Sequence, residues 1–500
     1  MITIIYSTHK DEIYNNKFKK HLLESVGLKD IQILEYENHN QYSLSQVYNS
    51  GITESMYDVV VCCHNDIKLE RNWGKKLLDD FVMNPEFAII GKAGSCYFPE
   101  SGIYWEKMHQ TMVGQVYHHP EGGKKWINKY SVKLPNLIPV VTIDGLFISF
   151  NKNKIKHQFD ETIGKFHFYD HLFCLPNYLD GIKIGVTSSF EITHESVGKP
   201  NQEFWESKDK FIEKWGHRLP LDLKPSSVFV DVIKSKKIKN IGKVAVVIPT
   251  KNNFDLLYSC VKSFYDNCDS EMFDVFIADT GSSTDQKDLI KDQILPLGNI
   301  KFIEYDYYNF AKINNDVVKN HLSDDHEFVL YSNNDIKLLN NVIYGMLKIL
   351  KEKPKAGTVG CRLHFEDNTI QHDGIIIQQL PETKSINLTH ASLGSYYSYT
   401  PGIKEVVGNT AALMMIRKNI FLKVGGFNEN YTTCFEDVEL NLSVRLLGFK
   451  NYYDGTLVAY HYESKTRGKN DINSKGEAQD FNKTLLPFIS KNYNKLFNNY

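Results

Sequence analysis

The five residues Asn65-Asp66-Ile67-Lys68-Leu69 recur as Asn334-Asp335-Ile336-Lys337-Leu338. Each copy follows a short apolar run, Val59-Val60-Val61-Cys62-Cys63 in one case and Phe328-Val329-Leu330-Tyr331 in the other. Such runs predict buried strands, so each aspartate is expected at the C-terminal end of a strand. In α/β sheets that end is where ligands bind. Further landmarks repeat in the same order. Val140-Val141-Thr142-Ile143-Asp144-Gly145 matches Val406-Val407-Gly408-Asn409-Thr410-Ala411, and Tyr169-Asp170 matches Glu436-Asp437. Gly181-Ile182-Lys183 matches Gly448-Phe449-Lys450, and Thr193-His194-Glu195-Ser196 matches Tyr460-His461-Tyr462-Glu463-Ser464. The offset between partners stays between 266 and 269 residues, which indicates tandem domains and not a short-period solenoid.

At 500 residues the chain is long enough for two such domains, each able to bury a full core. A formal net charge of -2 gives no electrostatic case for nucleic acid. The 8 cysteines show neither CxxC pairs nor metal-site spacing, and Cys62-Cys63 lies inside a predicted strand. Buried thiols in a reducing, cytoplasmic compartment are the expectation. The apolar start Met1-Ile2-Thr3-Ile4-Ile5-Tyr6 is too short for a signal segment and reads as a first strand. No apolar run approaches membrane-spanning length.

Lys243–Thr250 is a near-continuous apolar run of the kind found in parallel strands covered on both faces. Apolar runs and amphipathic segments then alternate, as they do more weakly in the first half. The expected fold class is α/β, with two tandem doubly wound, mostly parallel sheets. The expected boundaries are a first domain over 1–222, a linker over 223–242, a second domain over 243–468 and a helical tail over 469–500. Within the linker Val228 to Ile233 can itself pack. The basic run Lys234 to Lys239 reads as a solvated face, with contact to acidic lipid as the alternative. The tail is expected to pack on a domain, with a membrane-surface or partner helix as the alternative.

Four segments carry a resemblance: Val246-Val247-Ile248-Pro249-Thr250-Lys251-Asn252, Ala278-Asp279-Thr280-Gly281-Ser282, Ser332-Asn333-Asn334-Asp335 and Phe435-Glu436-Asp437. In that order they resemble the glycosyltransferase family 2 pattern. Val359-Gly360-Cys361-Arg362, Thr369-Ile370-Gln371-His372-Asp373-Gly374, Gly425-Gly426-Phe427 and Tyr460-His461 add to it. The resemblance covers nearly all of 243–468. It implies a GT-A fold, a nucleotide-sugar donor, a divalent metal (Mn2+ or Mg2+) and inversion at the anomeric carbon. Pro249, Thr250, Asn333 and Asn334 are then expected against the donor, and Asp279 against its base or ribose. The family often has aspartate where Asn333 stands.

The chemistry of these residue types agrees. A departing diphosphate must be neutralised, and a hard divalent cation does so through a carboxylate and the phosphate oxygens. Asp335 suits that ligand role; capping a following helix is its alternative. For Asp279 the alternative is an Asx turn. Inverting transfer needs a base for the acceptor hydroxyl, and by the family pattern this is Asp437, with Glu436 as second candidate. The alternative for Asp437 is stabilisation of the helix dipole. His461 can bind the metal or a phosphate oxygen, or be structural. Lys465 and Arg467 are expected on the diphosphate.

In the first half, His64, Asn65 and Asp66 occupy the donor and metal slots, Asp170 the base slot and His194 the second metal slot. The start Ile4-Ile5-Tyr6-Ser7-Thr8-His9 lacks the Pro-Thr-Lys-Asn run, and the second strand offers glutamates in place of Asp-x-Gly-Ser. This resembles a divergent glycosyltransferase-like copy. The expectation is a bifunctional glycosyltransferase acting on a growing glycan or lipid-linked glycan. It would work in the cytoplasm, with peripheral association at the inner face of the membrane as an option. A single active second domain with a carbohydrate-binding or scaffold first domain is one rival. A sugar nucleotidyltransferase is another, disfavoured because the turn after Pro249 has no glycine run. A non-catalytic lectin is a third.

Overall fold

A computed structural model describes the chain apart from residues 135, 197, 199, 226–227, 237, 239–241, 380–385, 433, 464–472 and 498–500. It forms two compact units, Met1–Pro225 with Ser395–Ser398, and Ser226–Gly394 with Tyr399–Tyr500.

In the second unit the central strand Lys243–Thr250 is parallel to Phe273–Asp279 on one side and to His326–Ser332 on the other. The sheet continues through Leu413–Arg417, which is antiparallel to both its neighbours, then Ala356–His364 and Lys450–His461. The central strand buries Val244, Val246 and Ile248 in one cluster and Ala245 and Val247 in another, which explains its unbroken apolar run. The helix Phe254–Asn267 covers the first face with Leu257, Val261 and Phe264, spaced three and four residues apart. Each such side chain contributes about 1.5–3 kcal/mol by burial.

The first unit repeats this order. Ile31–Glu37, Ile2–Thr8 and Val59–Cys63 are parallel neighbours, followed by antiparallel Phe147–Asn151, then Phe87–Gly91 and Lys183–Val186. Between its second parallel strand and the helix before its third, the second unit adds the helix Thr284–Leu289 and the edge strand Ile300–Glu304. That insertion accounts for the shorter first half: Thr8 and Thr250 end equivalent strands but lie closer in number than Asp66 and Asp335 do.

Part of the expected linker packs on the second unit. Asn340 donates to Asp231 O at 3.0 Å, and Arg362 donates to Phe229 O. Of the tail, the helix Leu486–Phe497 puts Ile489 and Leu496, with the preceding Leu485, against Val438 and Leu442. All eight cysteines are free and seven are buried. Among the described residues no helix is long and apolar enough to cross a membrane.

Candidate active sites

Strand register builds the first part of each site. In the second unit the short strand Ile336–Leu338 pairs antiparallel with Lys450–His461, with Ile336 opposite His461. In the first, Ile67–Leu69 pairs with Ile192–His194, with Ile67 opposite His194. One further bond locks each pair: Tyr462 N–H donates to Asp335 O at 3.0 Å, and Glu195 N–H to Asp66 O at 2.8 Å. The aspartate beside each short strand therefore meets a histidine. His461 Nε2 lies 3.2 Å from Asp335 Oδ1, and His194 Nε2 lies 3.3 Å from Asp66 Oδ2.

Around His461 the hydrogen bonds assign the tautomer. Nδ1–H donates to Gln371 Oε1 at 2.6 Å, and Asn333 Nδ2 donates to Nε2 at 3.1 Å. Nε2 is thus the unprotonated nitrogen and lies 3.2 Å from Asp335 Oδ1, the nitrogen that could ligate a metal in place of its bond to Asn333. Asp335 Oδ1 is buried and lacks an aligned hydrogen-bond donor, an expensive state that a cation would relieve. Residues and chemistry fit a divalent ion here.

In the first unit His64 stands where the second has Asn333. Its Nδ1 is 3.8 Å from Asp66 Oδ1, and its Nε2 is 2.9 Å from the Tyr169 hydroxyl. Burial pushes the Asp66 carboxyl up, but His194 and His64 outweigh it and hold it well below the usual carboxylate range. Burial lowers the His64 imidazole below its ordinary value, against the opposing pull of Asp66. Asn65 and Asn334 do matching jobs one residue before each aspartate. Asn65 Nδ2 donates to Thr8 Oγ1 at 2.9 Å and Asn334 Nδ2 to Thr250 Oγ1 at 3.0 Å, tying each turn to the end of the first strand.

The second part is a carboxylate at a helix start. Asp437 lies in the first turn of Glu436–Leu446 and Asp170 in that of Tyr169–Leu179. Both helices are entered through a left-handed phenylalanine, Phe435 at φ 77° and Phe168 at φ 64°, an uncommon conformation for a bulky residue that aims the turn. Asp437 accepts from Ala411 N at 2.9 Å and Val438 N at 2.7 Å. Asp170 accepts from Gly145 N at 2.9 Å and from His171 N at 2.9 Å. Burial, with the nearby Asp144 charge, raises the Asp170 carboxyl above its ordinary value.

A cavity of about 900 Å³ in the second unit gathers Pro249, Thr250, Asn333, Asn334, Asp335, Glu436, Asp437 and His461. Asp279 does not line it. That side chain is fully buried and accepts from Gly281 N at 3.2 Å, Ser282 N at 3.1 Å and the Ser282 hydroxyl, the Asx turn weighed as its alternative. Lys465 and Arg467 lie outside the described residues. Sequence reasoning assigned no role to Gln371, although its motif was noticed; its amide also donates to Glu463 Oε2 at 2.7 Å. It also missed Asp480 in the tail, whose carboxylate accepts from Thr432 N at 3.1 Å and Cys434 N at 3.2 Å, just before Phe435. No local pattern marks that contact.

Residues 3–215 match the family described as Glycosyltransferase like family, and residues 245–419 match Glycosyl transferase family 2. The chain is a tandem of two glycosyltransferase-type domains. Both transferase domains share the GT-A-like strand order described above. The O-antigen biosynthesis protein RfbC of Myxococcus xanthus is 25% identical over 232 residues, 46% of this chain and 18% of that protein. The rhamnosyltransferase WbbL of Escherichia coli (strain K12) is 23% identical over 231 residues, 44% of this chain and 83% of that protein. The chain thus spans less than a fifth of the first relative's length and most of the second's. Among solved structures, GalNAc-T7 with UDP, GalNAc and Mn2+ is similar at 11% identity and a TM-score of 0.37 over 47% of each chain.

Proposed function

We propose that the protein is a bifunctional inverting glycosyltransferase whose two domains each move a sugar from a nucleotide-sugar donor onto a growing surface glycan. The observation that carries this reading is the double recurrence of one constellation. Asp66 with His194 and Asp335 with His461 stand at equivalent strand ends, and Asp170 and Asp437 are each clamped by two backbone N–H groups. A domain kept only for binding has no need of all three groups.

In the second domain Asp335 and His461 hold the cation, and Asn333, Pro249 and Thr250 lie along the donor. When bound, Mn2+ or Mg2+ neutralises the charge of the departing diphosphate. Asp437 accepts the proton of the acceptor hydroxyl as that oxygen attacks the anomeric carbon from the face opposite the leaving group. The two N–H donors fix the orientation of the carboxylate and leave lone pairs on its oxygens for the acceptor hydroxyl. Lys465 and Arg467 are assigned to the diphosphate by resemblance alone. In the first domain Asp170 takes the base role, and Asp66 and His194 hold the cation.

The relatives named for O-antigen biosynthesis and rhamnosyl transfer support a bacterial polysaccharide such as O-antigen or capsule as the product. A lipid-linked acceptor would place the protein in the cytoplasm, at the inner face of the membrane. The domains assigned are 1–222 and 243–468. Asp66→Ala and Asp335→Ala, assayed separately on the intact chain against a panel of nucleotide-sugars, test the reading. Each is expected to abolish use of a different donor or linkage. If Asp66→Ala leaves every transfer intact, the first domain is not an enzyme.

A further inference from the structure

We propose that His64, Asp66 and His194 form a site that binds a first-row transition cation by itself, before any nucleotide arrives, and that the second domain has no such self-sufficient site. The proposal rests on the metal role given above to Asp66 and His194, and adds His64 and the cation class. Ligand atoms of these three side chains lie within 4.8 Å of one another, and no other group of three histidine, cysteine or acidic residues among the described residues does so. Around an ion with bonds of about 2.1 Å, neighbouring ligands stand roughly 3 Å apart, so side-chain rotations suffice to close the set. In the second domain the third place belongs to Asn333, and the nucleotide must supply what is missing.

The substitution is a paired one. His64 Nε2 is 2.9 Å from the Tyr169 hydroxyl, which can accept its proton and leave the Nδ1 lone pair facing Asp66. Where the first domain has His64 and Tyr169, the second has Asn333 and Glu436. The ligand and the group that orients it change together. His194 offers Nε2 from the other side, where the Ser196 hydroxyl, at 3.1 Å, is the group the ion displaces. Two imidazoles and one carboxylate suit Mn2+, Fe2+, Co2+ or Zn2+, whereas Mg2+ prefers an all-oxygen shell.

The test is a Co2+ titration of the metal-free, full-length chain without nucleotide, followed by the visible d–d absorption. One equivalent is expected to bind in the wild type and in Asp335→Ala. His64→Asn, which installs the residue of the second domain, is expected to weaken binding by about tenfold or more, and Tyr169→Phe to weaken it less. Circular dichroism of each variant separates site loss from misfolding. Absence of Co2+ binding by the wild type, binding unchanged by His64→Asn in a folded variant, or loss of the band in Asp335→Ala would each overturn the proposal. A chain that binds Co2+ in this pattern but neither binds nor cleaves any nucleotide-sugar supports the metal site and sinks the transferase reading.

Discussion

Gln371 Oε1 accepts the Nδ1 proton of His461 at 2.6 Å, which leaves Nε2, the nitrogen 3.2 Å from Asp335, unprotonated. Through this bond a strand far from the Asn-Asp turn sets the electronic state of the candidate metal site. Replacing Gln371 by Leu frees the ring to rotate and to exchange tautomers. Mn2+ affinity of the second domain is expected to fall by about tenfold to a hundredfold. Electron paramagnetic resonance of free Mn2+ in the presence of nucleoside diphosphate measures it. Unchanged affinity would mean His461 is not a ligand.

Asp437→Asn keeps an acceptor for only one of the Ala411 and Val438 N–H groups, which bond different carboxylate oxygens, and it cannot take a proton. Transfer by the second domain should fall by a factor of about a hundred or more, with donor binding largely retained. Isothermal titration with the nucleotide-sugar separates the two effects. Equal loss of affinity and rate would contradict the base assignment.

For Asp170, burial favours the neutral form and raises the carboxyl. A base works only when ionised, so transfer by the first domain should decline, as pH falls, at a pH above the ordinary carboxylate range. Asp144 adds to the rise through like charge. Asp144→Asn should therefore move the acid limb of the first domain's kcat profile to lower pH, by less than burial moves it up. An unmoved or higher limb would show that Asp170 is not the titrating base.

Lys92 is buried, with its ammonium donating to Thr187 O at 2.7 Å and to Phe190 O, and burial lowers it to about 7. Between that value and its ordinary 10.5 the unfolded chain holds the extra proton. Stability from this group therefore rises with pH across that window, by about 1.4 kcal/mol per pKa unit at most. Below about pH 7 both states are protonated and the effect is flat. Urea unfolding of the first domain at a series of pH values should show the slope, and Lys92→Met should remove it.

Asp480→Ala unties Thr432 and Cys434 from the tail. Their N–H groups lose a charged acceptor, at a cost of roughly 1–3 kcal/mol. Beyond the drop in melting temperature, kcat of the second domain should fall more than its donor affinity, because the loop leads into the helix bearing Asp437. A stability loss with kcat intact would make Asp480 structural only.

Much of this was legible without coordinates because the relevant signals are local. The apolar runs before Asn65 and Asn334 form buried strands as expected, although these end at Cys63 and Ser332 and the aspartates follow in the turn. The Phe-Glu-Asp and Phe-Tyr-Asp segments start helices, and the tail packs through Leu485, Ile489 and Leu496. Asp279 shows the limit. Its sequence context fits a ligand contact and a turn equally, and only the distances to Ser282 and Gly281 show where its oxygens are directed.

By itself the sequence determined that there are two α/β domains, and that each carries an aspartate at a strand end and another at a helix start. Periodicity and repetition need no partner to be read. Tertiary structure alone decided which side chains meet. His194 reaches Asp66, and His461 reaches Asp335, because of strand register across more than a hundred residues, and one residue of slip would turn each histidine to the opposite face. The fold also sets His64 beside Asp66, its Nδ1 3.8 Å from Oδ1. The first domain, weaker in motif, is therefore the one in which, among the described residues, three candidate ligand side chains gather within 4.8 Å of one another.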